Sequence, residues 1–208
     1  MPRALTEKEK CAQCRRLLEK GKAAVISHGI RKVSVDDVAK AAGMAKGTFY
    51  QHFESKEKYL YALIEKIHHD TFEQAEQIIF SGASGEASGK DAARKNASSF
   101  LKSLFTMPEI AFLIQNEQDI AALFETVPNQ ERQSFKQMES DLFGGLLKLA
   151  GINTEKIKPG IVHNYIHALF LMMSSDLMTE GDLPETANLI ADSLISYVFG
   201  DAPNEARH

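Results

Sequence analysis

The chain has 208 residues, 44% of them hydrophobic and 25% charged, with a net charge of −4. That is enough for one large or two small folded domains with a proper core. It excludes a membrane-spanning helix, because the most apolar run, Ala168 to Met173, has six residues against the roughly 18 needed.

The charged opening, Met-Pro-Arg-Ala-Leu-Thr-Glu-Lys-Glu-Lys, lacks the apolar centre of a secretory leader, so a cytoplasmic protein is expected. The first helix is expected from about Cys11 to His28, with Gly29 as its stop. Cys11, Cys14, Leu18, Gly21 and Val25 follow a helical stripe, so the Cys-x-x-Cys reads as small hydrophobes on a buried face. A redox pair is the alternative. A four-cysteine metal site within one chain is excluded, because there are only two cysteines, and no metal or cofactor is expected.

Residues 34 to 56 read as two short helices joined by a glycine turn. Ser34 caps the first, with Asp37 completing a capping box, and Val35, Val38, Ala39 and Ala42 form its apolar face. Gly43 suits a position of positive φ, and Met44 and Ala45 open the second helix. Phe49 and Phe53, four apart, share an inward face, which leaves Lys46, Thr48, Tyr50, Gln51 and His52 around the rest. Ser55 caps a further helix. Lys56 in its first turn opposes the helix dipole, a conflict that a DNA phosphate would relieve. This is how a protein places one helix in the major groove and holds the flanking phosphates. Charge agrees. Residues 1–70 hold 14 Lys and Arg against 9 Asp and Glu, a net +5, and residues 71–208 hold 10 against 19, a net −9. The acidic part should sit away from DNA.

The residues Ala24, Gly29, Ser34, Val35, Asp37-Val38-Ala39, Ala42-Gly43, Lys46-Gly47-Thr48-Phe49-Tyr50, His52-Phe53 and Ser55-Lys56-Glu57 resemble the amino-terminal domain of the TetR family of bacterial transcriptional regulators. The resemblance covers residues 11–71, with the motif at 34–53. It implies an all-α chain with a helix-turn-helix domain over 1–54 and a helical effector-binding and dimerisation domain over 55–208. Ala45 departs from the pattern, where a serine is common, and Gln51 occupies a variable position. Thr48 and Gln51 are expected at base edges, Ala45 at a base or sugar, and Lys46, Tyr50, His52 and Lys56 at phosphates. Ser34 joins them if capping leaves its hydroxyl free.

A fourth helix is expected from Lys56 to Phe80, where no Pro or Gly intervenes, spanning about 37 Å. The Gly/Ser-rich stretch 81–90 reads as a mobile loop. Asp91 caps a fifth helix with Ala97, Phe100, Leu101 and Leu104 on one face. Pro108 and Pro128 bracket short pieces at 110–115 and 120–126. A long helix then aligns Phe135, Met138, Leu142 and Leu149 and ends at Gly151. Its Gly144-Gly145 costs about 1 kcal/mol per glycine, which a kink, close packing or room for a ligand would explain.

Pro159 starts a helix that is apolar on nearly all sides from Ile161 to Met178, and residues 185–199 behave likewise. Such helices must be covered all round. They are expected to pair with their copies in a second subunit, as the resemblance also implies, with His163, Phe170, Leu189, Ser193 and Tyr197 at the interface. Two-fold symmetry would present two recognition helices to a pseudo-palindromic duplex.

The resemblance further implies an apolar cavity for a small organic effector, with Phe100, Met107, Phe112, Phe135 and Met138 as lining candidates, joined by Phe143, His167, Phe170 and Met173. His163 and His167 stand at i and i+4 but lack a third metal ligand. The expected function is a homodimeric repressor released from its operator by that effector. A protein-gated relative is the alternative, to be marked by an exposed Phe112 or Phe124. No enzyme is expected, because no carboxylate or Ser/His arrangement has convincing spacing.

Overall fold

The computed structural model describes residues 6–81, 86–150, 152, 155, 157–173 and 182–200. Among them are ten α-helices and no strand: α1 Glu7–Lys32, α2 Val35–Ala41, α3 Lys46–His52, α4 Lys56–Ile79, α5 Glu86–Ser103, α6 Pro108–Gln115, α7 Glu117–Thr126, α8 Asn129–Leu149, α9 Pro159–Met173 and α10 Leu183–Phe199. A single 3-10 turn, Leu104–Thr106, separates α5 from α6. None of these helices is by itself long and apolar enough to cross a membrane.

The chain forms two compact units. One comprises residues 1–68 and 116–132, the other residues 69–115 and 133–208. The boundaries fall within α4, between α6 and α7, and within α8.

In the first unit α1 begins earlier than expected. Thr6 accepts from the Glu9 amide at 3.3 Å and donates its own amide to the Glu9 carboxylate at 2.8 Å. This capping box, which the sequence reading missed, starts the helix at Glu7. Gly29, at φ +78° and ψ 163°, interrupts α1, and a last turn carries it to Lys32. The buried stripe is Leu17, Gly21 and Val25. Cys14 is only half-buried and Cys11 is exposed, so their expected role as packed hydrophobes is not met. The stripe starts one turn later, at Leu17.

α1 packs on α2 and α3. Val33, Val35, Val38, Ala39, Ala42, Phe49, Phe53 and Tyr59 are all buried. α7 belongs to this unit as well: the Arg31 guanidinium pairs with Asp119 at 2.6 Å, and Lys58 pairs with Glu131 at 2.6 Å. Tyr61 donates to the Glu131 carbonyl at 2.9 Å, and its ring meets Phe124 at 5.2 Å.

In the second unit α10 packs on α5 and α9, and α6 on α9. Ala97, Phe100 and Leu101 share the buried face of α5, and Leu104, in the 3-10 turn that follows, joins the same cluster with Ile110, Leu147, Val162, Leu194 and Phe199. Three expectations change here. Residues 86–90, read as loop, are the first turns of α5, so Asp91 lies inside the helix rather than capping it; residues 82–85 lie outside the described residues. On α8 the buried leucine is Leu147, and Leu149 is 57% exposed. A Cβ on Gly144 or Gly145 would meet nothing within 4 Å, so among the described residues no neighbour requires a glycine at either position.

α9 is described only to Met173. It buries Val162, Leu169 and Met172 and leaves Leu171 53% exposed, while α10 leaves Leu189 65% exposed.

Candidate nucleic-acid interface

The link between α2 and α3 is fixed by local chemistry. Ser34 Oγ donates to the Asp37 carboxylate at 2.6 Å and accepts from the Asp37 amide at 3.2 Å. These bonds and the Ser34 amide hold the Asp37 carboxyl below its usual range. Ser34's single hydroxyl proton is thus committed to capping, and the condition attached to its phosphate role is not met.

At the other end of α2, Gly43 takes φ +64°. The Met44 amide donates to the Ala39 carbonyl at 2.8 Å and the Gly43 amide to the Lys40 carbonyl at 2.9 Å. This pair of bonds is a Schellman cap, and it needs the left-handed conformation that glycine adopts without strain.

α3 begins at Lys46, one residue past the expected opening. Ala45 is its N-cap and makes no side-chain bond. Phe49 is fully buried, with its ring 5.6 Å from Phe53 and 5.4 Å from Tyr59. Burying one such ring stabilises by about 2–3 kcal/mol, and the three together set how α3 is rotated.

The rotation leaves Lys46, Gly47, Tyr50 and Gln51 exposed. Positions 46 and 50, and 47 and 51, are four apart, so these residues make one continuous face. Ala45 is exposed beside it, and Thr48 and His52 are half-buried at its edges. Tyr50, 50% exposed, stands edge-on to Phe49 at 5.4 Å, which steadies an aromatic ring in solvent.

Three of the expected phosphate ligands already have partners. Lys46 Nζ lies 2.8 Å from Asp36, and this hydrogen bond raises the ammonium's pKa. His52 Nε2 lies 3.0 Å from Gln13 Oε1, which ties the last residue of α3 to α1. Lys56 Nζ donates to the carbonyl oxygens of Ile30, Arg31 and Val33, each at 3.2 Å. The conflict expected at Lys56 is therefore resolved inside the protein: its charge sits at the negative end of α1. No phosphate is needed there.

Gly47 was not among the expected site residues. A Cβ on it would meet nothing within 4 Å, and its φ is not positive. Neither the turn nor the packing asks for a glycine inside this helix, where it costs about 1 kcal/mol.

The effector candidates are only partly brought together. Phe100, Met107 and Phe143 meet in one apolar cluster, while Met173 packs with Leu169 and Met172 in another. Phe112 and Phe135 are buried, Met138 is half-buried and His167 is exposed, so His167 does not line an interior. The side chains of His163 and Phe170 lie outside the described residues. With Phe112 buried and Phe124 half-buried, neither is the exposed aromatic that would mark a protein-gated relative. Of the dimer candidates, Leu189 and Ser193 are exposed. Tyr197 is half-buried, and its hydroxyl accepts from the Lys158 amide at 3.3 Å. On α4, His69, Asp70 and Glu73 offer ligand atoms within 4.8 Å of one another. They stand along one helix, with His69 and Glu73 exposed and Asp70 half-buried, and are assigned no metal.

Residues 17–63 match the family described as bacterial regulatory proteins, tetR family. The HTH-type transcriptional repressor KstR2 of Rhodococcus jostii (strain RHA1) is 36% identical over 59 residues, 28% of this chain and 29% of that protein. The chain thus matches less than a third of the length of its curated relatives. Among solved structures, the protein SCO7518 of Streptomyces coelicolor A3(2) is 16% identical, covering 91% of this chain and 99% of that one with a TM-score of 0.64. The transcriptional regulator FadR of Bacillus subtilis, solved with stearoyl-CoA, is 20% identical, covering 88% and 98% with a TM-score of 0.56. At these identities the two structures establish the fold alone, and the likeness to the tetR family rests on the matched segment, which contains the capped α2, the Gly43 turn and the exposed face of α3. Over residues 17–63 the chain is similar to the tetR family of bacterial regulatory proteins.

Proposed function

We propose that the chain is a sequence-specific DNA-binding transcriptional regulator, a homodimeric repressor that a small organic effector releases from its operator. One observation carries this reading: the exposed face of Lys46, Gly47, Tyr50 and Gln51 on a helix whose rotation is locked by buried aromatics. Gln51 and Thr48 bring an amide and a hydroxyl to base edges, and Ala45 brings a methyl group. Lys46, Tyr50 and His52 hold phosphates, Lys46 exchanging Asp36 for the phosphodiester. Lys56 acts behind them by fixing the end of α1. Gly47 gives the sugar-phosphate backbone its closest approach, which accounts for a glycine that the fold does not require.

The net +5 of residues 1–70 against −9 for the remainder supports DNA binding at this end alone. Leu171 on α9 and Leu189 on α10, each more than half exposed, support pairing of these helices with a second copy, which would cover them. The apolar cluster around Phe100, Met107 and Phe143 suits an effector with an extended hydrocarbon part, and a relative solved with an acyl-CoA points the same way. Such an effector would displace α4, which starts at Lys56, and so change the separation of two recognition helices that must engage together. A cytoplasmic location accords with this role.

Selection from a random duplex pool at low salt, followed by size measurement of the complex, tests the reading. Enrichment of a two-fold-symmetric site bound by two chains is expected. No retained duplex at low salt sinks it, and a bound monomer sinks the dimer.

A further inference from the structure

Cys11 and Cys14 are left over from the fold. They are not the packed hydrophobes that their spacing suggests, since Cys11 is exposed and Cys14 half-buried. We propose that they form a thiol–disulfide switch, closed by exchange with a small anionic disulfide, that loosens the recognition helix α3.

The geometry begins with spacing. Positions i and i+3 of α1 are neighbours, with Cβ atoms about 5–6 Å apart. A disulfide needs about 3.5–4.5 Å. Joining the sulfurs therefore requires the turn between them to deform. That turn carries Gln13, whose Oε1 lies 3.0 Å from Nε2 of His52 at the end of α3. One turn on, the Leu17 carbonyl accepts from Tyr59 at 3.1 Å, and the Tyr59 ring packs on Phe49 and Phe53. The dithiol thus sits in the stretch of α1 that holds α3 in place.

The thiols have distinct roles. Cys11 is open to solvent, with exposed Lys8 and Arg15 at i−3 and i+4 on its face, which draw in a negatively charged disulfide such as that of glutathione. The Cys11 thiolate attacks one sulfur of the oxidant and expels a thiolate, leaving a mixed disulfide. Cys14 loses its proton and attacks the Cys11 sulfur, expelling the second thiolate. Two electrons and two protons pass from the protein to the oxidant, which leaves as two thiols. Burial, then the charge of Cys11, raises the Cys14 thiol above its usual range, which suits a resolving thiol more than an attacking one.

The effect on DNA rests on the proposed function, whereas the thiol chemistry and the loosening of α3 do not. The test exposes the full chain to glutathione disulfide, then reads intact mass, amide hydrogen exchange and duplex binding. A species about 2 Da lighter is expected, with faster exchange over residues 46–52, about tenfold weaker duplex binding and full recovery in dithiothreitol. Cys14→Ser should stop at the mixed disulfide and Cys11→Ser should not react. A chain that forms no internal disulfide, or forms it with unchanged exchange in α3, overturns the switch. If the reduced protein binds no duplex, the regulator reading fails, and the exchange data still decide the switch.

Discussion

The hydroxyl of Tyr59 occupies the space that a side chain on Gly21 would need. A Cβ there would collide with that hydroxyl and lie 2.7 Å from Cγ1 of Val38. Tyr59 is fully buried and donates to the Leu17 carbonyl, and its burial raises the phenol's pKa, so the ring cannot easily move away. Gly21→Ala is expected to lower stability by about 1–3 kcal/mol through overpacking. Adding Tyr59→Phe removes the obstructing oxygen, so the double variant should be more stable than the sum of the two single losses. Thermal unfolding of the four proteins measures this, and strict additivity would show that the contact is unimportant.

Lys46 and Lys56 look alike in the sequence and differ in the structure. Lys56→Ala strips three carbonyls at the end of α1 of their donor and should cost about 1–2 kcal/mol of stability. Lys46→Ala removes only an exposed pair with Asp36, and stability should hardly change. Duplex binding should reverse the order. Lys46→Ala lowers the slope of log affinity against log salt by about one, and Lys56→Ala leaves the slope alone. Urea denaturation and a salt titration on both variants separate the two roles.

Gly47→Ala should make the free protein more stable by about 0.5–1 kcal/mol, because alanine is the better helix former and its Cβ meets nothing. The same methyl would stand between α3 and a phosphate, so duplex affinity should drop while unfolding improves. A variant that gains stability and keeps full affinity would falsify the close-approach role.

Glu65 sets a pH dependence. Burial raises its carboxyl pKa, opposed by its hydrogen bond with Tyr61 and assisted by Glu131. A raised pKa means that the folded state favours the protonated form. Its contribution is full below the ordinary value of 4.5 and is lost as pH rises through the folded pKa. Glu65→Gln, always neutral, should therefore be more stable than the parent at neutral pH and equal to it in acid. Urea midpoints at about pH 4 and about pH 7 check the sign, and a variant equally or less stable at neutral pH contradicts it.

What the sequence made legible was local. Ser34 with Asp37, Gly43 and the pair Phe49 and Phe53 are each a rule about neighbours three or four residues apart, and each forms as expected. What it hid was remote. Lys56 at the start of one helix reads as a dipole conflict until Ile30, Arg31 and Val33, more than twenty residues earlier, turn their carbonyls toward it. Cys11 fits a periodic stripe, but periodicity cannot say where along a helix its packing partner ends. Gly47 is informative only after the space around it is known to be empty. The opposite error came at 86–90, where a Gly/Ser composition reads as loop and the backbone forms the first turns of α5.

The attachment of residues 116–132 to the first unit, through Arg31 to Asp119 and Lys58 to Glu131, bears on how such proteins can be recombined. A graft that exchanges only residues 1–54 to change operator preference would give Asp119 a foreign partner in place of Arg31, while Lys58, Tyr61 and Glu131 stayed together. Two chains with identical recognition helices could then differ in whether the hybrid works, depending on the residue each carries at position 31. The transferable module is discontinuous, and its second piece lies about fifty residues downstream of the first.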